Sequence, residues 1–237
     1  MPKVELKNVD VALGERLILH NVSFHIDSGV VAVVGRNGSG KSTLLKTIAG
    51  LIKPNNGSVV VNGLDVNTLK AKERAKLVGY CWQNPYYGFF EETVEREIFF
   101  ILKNTGVKGR EDLLDDLDVR RLFDRNPFKL SGGEARRVSI ASVLVADQPV
   151  VLMDEPFNDL DAEGYRQMLK VLKKYRNEGK LIFLSFSNAF MLKVVEPEKI
   201  FIVNNGKVFE VTKESSQLND ILAENGILIP GDVDAKT

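Results

Sequence analysis

Residues 35–43 read GRNGSGKST and combine glycines, a lysine and hydroxyl side chains at a spacing that suits phosphate binding. They follow the apolar run Gly29–Val34 and open an amphipathic segment, so a strand, a glycine-rich turn and a helix start come in that order. Gly35, Gly38 and Gly40 allow positive φ angles and let backbone N–H groups approach an anion closely. Since the new helix adds the positive end of its dipole, the pattern predicts a phosphate cradle.

The side chains after the glycines predict how a nucleotide is held. Lys41 can reach the β and γ phosphates of a nucleoside triphosphate, and Ser42 can ligate Mg²⁺. A tight turn with a solvated lysine is the alternative, and the motifs described next argue against it. We therefore expect nucleotide binding at Gly35, Asn37, Gly38, Ser39, Gly40, Lys41, Ser42 and Thr43.

A pair of carboxylates follows a second apolar run. Val150–Met153 predicts a central strand buried on both faces, with Asp154 and Glu155 at its carboxyl end. Asp154 can hold Mg²⁺ through its water shell, and Glu155 can orient or deprotonate the water that attacks the γ phosphate. The alternative is that two acids simply begin a solvated loop, which would be preferred if the lysine motif were absent.

A second candidate anion site lies in LSGGE, at residues 130–134. Ser131 is a suitable N-cap for a helix, and Gly132 and Gly133 leave the start of that helix open to a phosphate. Glu134 completes the motif. By itself, the motif is explained about as well by a plain helix cap, so its meaning depends on the other motifs.

These motifs need a scaffold, and the hydrophobic pattern predicts one. The predicted elements are strands at 4–9, 17–26, 150–153 and 181–184, a hairpin turn at Asn62-Gly63, and helices at 132–146 and 162–175. The first third of the chain is therefore rich in strands, and strands later alternate with helices. Such alternation indicates a parallel sheet.

An insertion and a tail complete the predicted architecture. Residues 91–124 carry charged and apolar residues at helical spacing, most clearly in VEREIFFIL and EDLLDDLDVRRLF, and predict a helical insertion. The tail returns to strands in IFIVNNGKVFEV, where Asn205-Gly206 suits a type I′ hairpin. A short helix at 217–224 is expected to stop at Gly226.

Composition limits the classes of function. Lys plus Arg and Asp plus Glu both number 32, so there is no basic field to hold a nucleic acid, and we expect no nucleic-acid partner. The single cysteine, Cys81, excludes an intrachain disulfide framework and is expected to act as a small buried hydrophobe. No apolar run is long enough to cross a bilayer, so any membrane role would be peripheral.

Together, GRNGSGKST, LSGGE and a strand that ends in DEP resemble the ATP-binding cassette family, the nucleotide-binding subunits of ABC transporters. The resemblance covers residues 3–208. It implies an α/β fold, with a P-loop NTPase core, a mixed sheet, an N-terminal antiparallel β subdomain and a helical insertion. We expect one domain over 1–237, with the nucleotide-binding core at 1–85 and 141–208, the helical subdomain at 86–140 and a short C-terminal extension at 209–237.

The resemblance implies further roles. Gln83, in YCWQNP, matches a glutamine that touches Mg²⁺ and the attacking water, and Asp161, in FNDLD, matches an aspartate at the subunit contact. Family members dimerise head to tail, so residues 131–134 would bind the γ phosphate of ATP held by Lys41 of the partner subunit. The expected ligands are ATP and Mg²⁺, and the expected partners are a second ATPase subunit and transmembrane transporter subunits.

Two positions depart from the family pattern. Leu13 stands where the family usually has an aromatic residue that stacks on adenine, and a lost base–aromatic stack weakens binding by about ten- to a hundredfold. The family's switch histidine is also missing, since its position falls on Phe186 or Asn188, depending on the direction of counting. Losing one donor to the transition state costs about 10² to 10³ in rate, so we expect slow hydrolysis in which Asn188 recovers part of the loss.

An aromatic cluster surrounds the start of the insertion, at Tyr86, Tyr87, Phe89, Phe90, Phe99 and Phe100. These rings can pack a small helical core or form a groove for a helix of a transmembrane subunit, and both can hold for different rings. QNPYYGFFEETVEREIFF is similar to cassettes of energy-coupling-factor and cobalt-type importers, and LNDILAENGILIPGDV resembles their C-terminal extension.

Three classes of function follow. The leading one is an ATPase subunit that drives a membrane transporter, an importer of a micronutrient, from the cytoplasmic face of the cell membrane. A second is a soluble cassette ATPase that acts on DNA or ribosomes, which the balanced charge does not favour. A third, motivated by the missing histidine, is a nucleotide-binding partner subunit with little or no turnover.

Overall fold

The computed structural model describes residues 1–212 and 217–229. Within these residues the strands are β1 (Val4–Leu13), β2 (Arg16–Ile26), β3 (Gly29–Val34), β4 (Asn56–Val61), β5 (Leu64–Asp65), β6 (Val78–Cys81), β7 (Val150–Met153), β8 (Leu181–Phe186), β9 (Lys199–Asn204) and β10 (Lys207–Val211). The helices are α1 (Lys41–Ile48), α2 (Ala71–Leu77), α3 (Val94–Thr105), α4 (Asp112–Asp116), α5 (Gly132–Leu144), α6 (Ala162–Asn177), α7 (Leu192–Val195) and α8 (Leu218–Glu224).

A six-stranded sheet forms the centre of the molecule, in the order β10-β9-β3-β8-β7-β6. Strands β9, β3, β8, β7 and β6 are parallel, and β10 pairs antiparallel with β9 at one edge. Every residue of β7 and β8 is buried, as expected for parallel strands that are covered on both faces. The predicted α/β fold with a mixed sheet is confirmed.

A second, antiparallel sheet has the order β2-β1-β4-β5 and confirms the predicted β subdomain. Its β4–β5 turn has positive φ at both central residues, 50° at Asn62 and 82° at Gly63. The β9–β10 turn is alike, with 47° at Asn205 and 77° at Gly206. Both turns have the φ signs that a type I′ hairpin requires, and Asn-Gly is the pair that tolerates them best.

Strand β3 separates two hydrophobic cores. Val30, Ala32 and Val34 point into a core that is shared with the helical insertion, α5 and α6. Val31 and Val33 point into a core that is shared with α1 and the antiparallel sheet. Because full burial of one such side chain contributes about 1.5–3 kcal/mol, β3 is held from both faces, and the loop that follows it starts from a rigid position.

The helical insertion differs from its prediction in one segment. The helix in VEREIFFIL is α3, but EDLLDDLDVRRLF forms only the five residues of α4, then a left-handed Asp118 with φ 51° and a short 3₁₀ turn. Tertiary contacts explain the break. Asp116 pairs with Lys170 and Lys174 of α6, while Leu113, Leu114, Leu117, Val119 and Leu122 are all buried. One straight helix could not bury all five.

The burial of Cys81 and the end of the C-terminal helix were also predicted. Cys81 is buried at the end of β6, and burial raises the pKa of its thiol to about 12, so it is a neutral, buried side chain as predicted. Helix α8 ends before Gly226, whose φ is 67°. The remainder of the predicted extension, residues 213–216 and 230–237, lies outside the described residues. None of the helices that the structure describes is long and apolar enough to cross a bilayer.

Candidate nucleotide site

The motif residues meet at one edge of the central sheet. The parallel strands β3, β8, β7 and β6 are neighbours, and their carboxyl ends lead into Gly35, Ser187, Asp154 and Trp82 respectively. Ligands of open α/β sheets bind at this edge. The fold therefore brings together the glycine-rich turn, the carboxylates and Gln83, which are far apart in the chain.

The glycine-rich turn confirms two of three predicted left-handed glycines. Gly38 has φ 78°, and Gly40, the N-cap of α1, has φ 111°. Gly35 does not adopt a positive φ, so that expectation is wrong. It is needed for space instead, because a Cβ atom there would lie 2.5 Å from both Ser39 Oγ and Val203 O.

Lys41 is the first residue of α1, and only 5% of it is exposed. Its ammonium donates to the carbonyl oxygens of Gly35 (2.9 Å) and Arg36 (3.2 Å) and lies 3.6 Å from Glu155 Oε1. Burial lowers the pKa of this lysine, and the negative charges of Glu155 and Asp154 oppose that effect. A buried cation at the head of a helix can bind an anion strongly, since little water competes for it.

Asp154 is held by two hydroxyl groups. Ser185, on the neighbouring strand β8, donates to Asp154 Oδ1 at 2.6 Å, and Tyr80, on β6, donates to Oδ2 at 3.1 Å. The carboxylate is 2% exposed. Each of its oxygen atoms keeps a lone pair for another ligand, so the position of the group is set without its acceptor capacity being used up.

Glu155 has a strained backbone, with φ 48° in the left-handed region that glycine prefers. Two contacts hold it there. Its N–H donates to Ser185 Oγ at 2.9 Å, and the side-chain amide of Asn158 donates to its Oε2 at 2.7 Å. The Glu155 side chain is thereby directed towards Lys41, whose ammonium lies 3.6 Å from the other carboxylate oxygen, Oε1.

Lys41 and Glu155 line a cleft of about 250 Å³, and Asp154 precedes Glu155 in the chain without lining it. Its walls are Arg16, Ile18, Asn37, Gly38, Gly40, Lys41, Ser42, Thr43, Gln83 and Glu155. The cleft thus carries a positive charge at the helix start, with the Glu155 carboxylate 3.6 Å from it. It can hold a phosphate chain and present a water to it.

The oxygen atoms that the site offers suit Mg²⁺ better than a metal ion that needs three or more protein side chains as ligands. Among the described residues, no group of three or more His, Cys, Asp or Glu side chains could hold a metal ion. Mg²⁺ does not need one, since it is usually bound through one or two carboxylates, phosphates and several waters. The carboxylate of Asp154, the hydroxyl of Ser42 and the amide of Gln83 are oxygen ligands of that kind.

The LSGGE motif starts α5 with a capping box. The Ser131 hydroxyl accepts from the N–H of Glu134, and the Glu134 carboxylate accepts from the N–H of Ser131 at 3.0 Å. That backbone hydrogen bond, together with Arg125 at 2.8 Å, lowers the pKa of Glu134. Ser131 and Gly132 are exposed, and residues 131–134 do not line the cleft of their own chain.

The segment after Glu155 packs against this motif. A Cβ atom on Gly133 would lie 3.1 Å from Asp159 O, so the two glycines allow close contact with Asp159. Asp161 is the exposed N-cap of α6 and accepts from the N–H of Gly164 at 2.8 Å. It also lies apart from the cleft of its own chain, and its expected place at a subunit contact stays a prediction.

Three other predicted site residues lie away from the cleft. Leu13, at the tip of the β1–β2 hairpin, is 50% exposed and does not line it. The Phe186 ring is buried beside Phe157, so its side chain cannot serve as the missing donor. Asn188 uses its side-chain oxygen to accept from the N–H of Phe190 at 3.1 Å, and its backbone pairs with Leu228. Its amide N–H₂ still leaves a donor.

Sequence reasoning missed five residues of this site, one of which is Asn158, the hydrogen-bond partner of Glu155. Arg16 and Ile18 reach the cleft from β2, which no local motif indicates. Ser185 and Tyr80 reach Asp154 from strands that read as plain apolar runs. A polar side chain within a fully buried strand is the one signal that could have pointed to Ser185.

A sequence model of the family described as ABC transporter matches residues 19–158, which is more than half of the chain. A putative ABC transporter ATP-binding protein of Pyrococcus horikoshii is 36% identical over 86% of this chain and 81% of its own length. The energy-coupling factor transporter ATP-binding protein EcfA1 of Bacillus licheniformis is 33% identical over 91% of this chain and 80% of its own.

A solved structure is also similar. It is the dimeric ATP-binding cassette in a post-hydrolysis state bound to ADP and Pi, with a TM-score of 0.78 and 28% identity. The alignment covers 90% of this chain and 99% of that one. The fold, the sequence motifs and the overall sequence similarity therefore all indicate the same family.

Proposed function

We propose, from the premise that this chain belongs to the ABC transporter family, that it binds and hydrolyses ATP to drive a membrane transporter. The observation that carries the proposal is the separation of two anion-binding features. Lys41 and Glu155 line one cleft, whereas the exposed helix start at Ser131 does not line it. A second copy or a related subunit can bring such a helix start to the cleft, which supports a composite ATP site in a dimer.

In this site some residues bind the nucleotide and its metal ion, and another takes part in hydrolysis. Lys41 and the N–H groups of the glycine-rich turn bind the phosphates, while Ser42, Gln83 and Asp154 would hold Mg²⁺. When bound, Mg²⁺ neutralises charge on the phosphate oxygens. Glu155 takes the proton of the attacking water, and its fixed backbone keeps the carboxylate in one position.

Asn158→Ala is expected to slow hydrolysis by about tenfold, because the hydrogen bond to a charged Glu155 oxygen is lost and such bonds are worth about 1.5–3 kcal/mol. ATP affinity should not change, since Asn158 does not line the cleft. Phosphate release at saturating ATP and a nucleotide titration measure the two quantities. Asn67→Ala is the matched control, because its amide also donates to a carboxylate, Asp65, but far from the site. A variant as fast as the wild type would contradict this role for Asn158.

A groove between α2, α3 and α5 supports the proposal that the protein has a membrane partner. It has a volume of about 560 Å³ and is lined mainly by apolar side chains, among them Trp82, Phe90, Phe100 and Ile101. Phe90 and Phe100 are exposed although their centroids are only 4.4 Å apart. Phe89, by contrast, packs in the core with Tyr86. We infer that the groove accepts a helix from a transmembrane subunit.

Glu97 orders the rim of this groove. Its carboxylate, 4% exposed, accepts from the N–H groups of Phe90 and Glu91, both at 2.9 Å. Burial raises the pKa of Glu97 and these two hydrogen bonds oppose that effect. The loop that carries Phe90 is thus fixed before any partner binds, which lowers the entropic cost of docking.

Import of a micronutrient is the narrower proposal. It rests on the relatives named as energy-coupling factor transporter subunits, and it places the chain on the cytoplasmic face of the membrane as a peripheral subunit. The substrate would contact the membrane subunits.

Copurification tests the transporter role. Tagged protein should bring down a multi-span membrane protein from its native membranes, and Phe100→Glu should reduce the yield by about tenfold or more, as expected for a central aromatic anchor. Phe209→Glu is the matched control, since Phe209 is equally exposed, at 38%, but lies on β10. A DNA-repair or ribosomal assembly in the pull-down would overturn the proposal.

A second candidate is a partner subunit with little or no turnover. The observation that favours it is that no histidine lines the cleft, while the two residues at the expected position are a buried ring, Phe186, and an amide, Asn188, that already accepts from the N–H of Phe190. We therefore propose slow hydrolysis, about 10² to 10³ below that of a site with the missing donor. Single-turnover phosphate release distinguishes a slow site from an inactive one.

A further inference from the structure

Tyr80 is shared by the nucleotide cleft and the proposed docking groove. Its hydroxyl donates to Asp154 Oδ2 at 3.1 Å, while its ring lines the groove between α2, α3 and α5. The residue itself is 9% exposed. A single side chain thus touches both the carboxylate that would hold Mg²⁺ and the surface that would hold a membrane partner.

The hydroxyl is a permanent donor. The phenol of Tyr80 carries its proton at neutral pH and can therefore only donate to the carboxylate oxygen of Asp154. Asp154 accepts from Ser185 on its other oxygen. Loss of either donor would leave the carboxylate held by a single hydrogen bond, which matters for a ligand whose octahedral geometry is strict.

The ring of Tyr80 packs against the ring of Trp82. The two rings meet edge to face, with centroids 5.0 Å apart and an interplanar angle of 89°. Trp82 also lines the groove, and the Lys46 ammonium of α1 lies 5.1 Å from the centroid of its ring. Because packed rings have few alternative arrangements, a shift of Tyr80 must be accommodated by Trp82.

We propose that Tyr80 is a positioning residue that links the magnesium-binding state of Asp154 to the docking groove through Trp82. The inference rests on the proposed function and adds a path by which the magnesium site and the docking groove affect each other. In one direction, Mg²⁺ with nucleotide at Asp154 alters the packing of Trp82. In the other, a helix that docks against Trp82 and Tyr80 alters the orientation of the Asp154 carboxylate.

The chain provides its own reporter, because Trp82 is its single tryptophan. Tryptophan emission is recorded while Mg²⁺ is titrated into protein saturated with a nonhydrolysable ATP analogue. The wild type should show a saturable change. Tyr80→Phe, which removes only one oxygen atom, should lose most of that change and require about three- to tenfold more Mg²⁺ for half saturation, as expected for one lost hydrogen bond to a charged group.

Tyr175→Phe is the matched control. Tyr175 is fully buried, and its hydroxyl donates to the Leu144 carbonyl at 3.0 Å, whereas the residue lines neither the cleft nor the groove. It should titrate as the wild type does. The inference is overturned if Tyr80→Phe also titrates like the wild type, or if both variants shift equally, since that would mean general loosening of the core.

A separate measurement keeps the two proposals distinguishable. Binding of a fluorescent ATP analogue is followed by its own emission, without reference to Trp82. Failure of the wild type to bind it with Mg²⁺ would overturn the proposed function. Normal binding with a wild-type Trp82 response in Tyr80→Phe would overturn only the link through Tyr80.

Discussion

Lys41→Ala is expected to weaken ATP binding by about a hundredfold or more. Hydrogen bonds to charged groups are worth about 1.5–3 kcal/mol each, and two such bonds to phosphate amount to at least two factors of ten. The ammonium is only 5% exposed, so water cannot replace it well. Equilibrium titration with a fluorescent ATP analogue measures the effect.

This loss should occur without loss of folding. Removing the ammonium leaves the buried Glu155 carboxylate without its cation, which lowers the unfolding temperature, so the titration is made well below that temperature, where the variant remains folded. Lys53→Ala, at an exposed lysine after α1, is the control and should bind as the wild type does. Unchanged affinity in Lys41→Ala would mean that the triphosphate binds elsewhere, and the proposed function would then have to be abandoned.

Glu155→Gln should reduce the rate of phosphate release by about 10²–10⁴, the usual contribution of a general base. The amide has nearly the same shape, and Asn158 can still pair with its oxygen, so ATP binding is retained. ATP-bound dimers should therefore accumulate in the presence of Mg²⁺. Single-turnover assays give the rate, and light scattering gives the mass of the particle.

Glu163→Gln is the control for this experiment. Glu163 is an exposed glutamate in the first turn of α6, where it pairs with Arg166. Its variant should hydrolyse ATP and dissociate normally. If Glu155→Gln and the wild type both form stable ATP dimers and neither releases phosphate, the chain is the non-hydrolytic partner subunit. If Glu155→Gln hydrolyses at the wild-type rate, Glu155 is not the base.

The secondary structure could be predicted well where local chemistry decides it. Asn62-Gly63 and Asn205-Gly206 form tight hairpins because few other pairs tolerate two consecutive positive φ angles. Val150–Met153 is a buried strand with the predicted bounds. The prediction failed at residues 111–123, where buried leucines and ion pairs to α6 outweigh the helical periodicity.

The site was predicted residue by residue only where a motif names the residue. Lys41, Ser42, Gln83 and Glu155 line one cleft, as their motifs indicated. The reason for Gly35 was wrong, because crowding by Ser39 and Val203 is a tertiary effect that no local pattern contains. The same holds for Asn158, whose amide is important only because the backbone of Glu155 turns towards it.

The sequence by itself determined the family and predicted the role of the glycine-rich turn and of the acidic pair, because contiguous residues carry the backbone geometry and charge that phosphate chemistry requires. Only the tertiary structure decided which hydroxyls hold Asp154, since Ser185 and Tyr80 approach it from strands on either side of β7. Strand order sets those neighbours, and strand order arises from packing of the whole chain and not from any local run of residues.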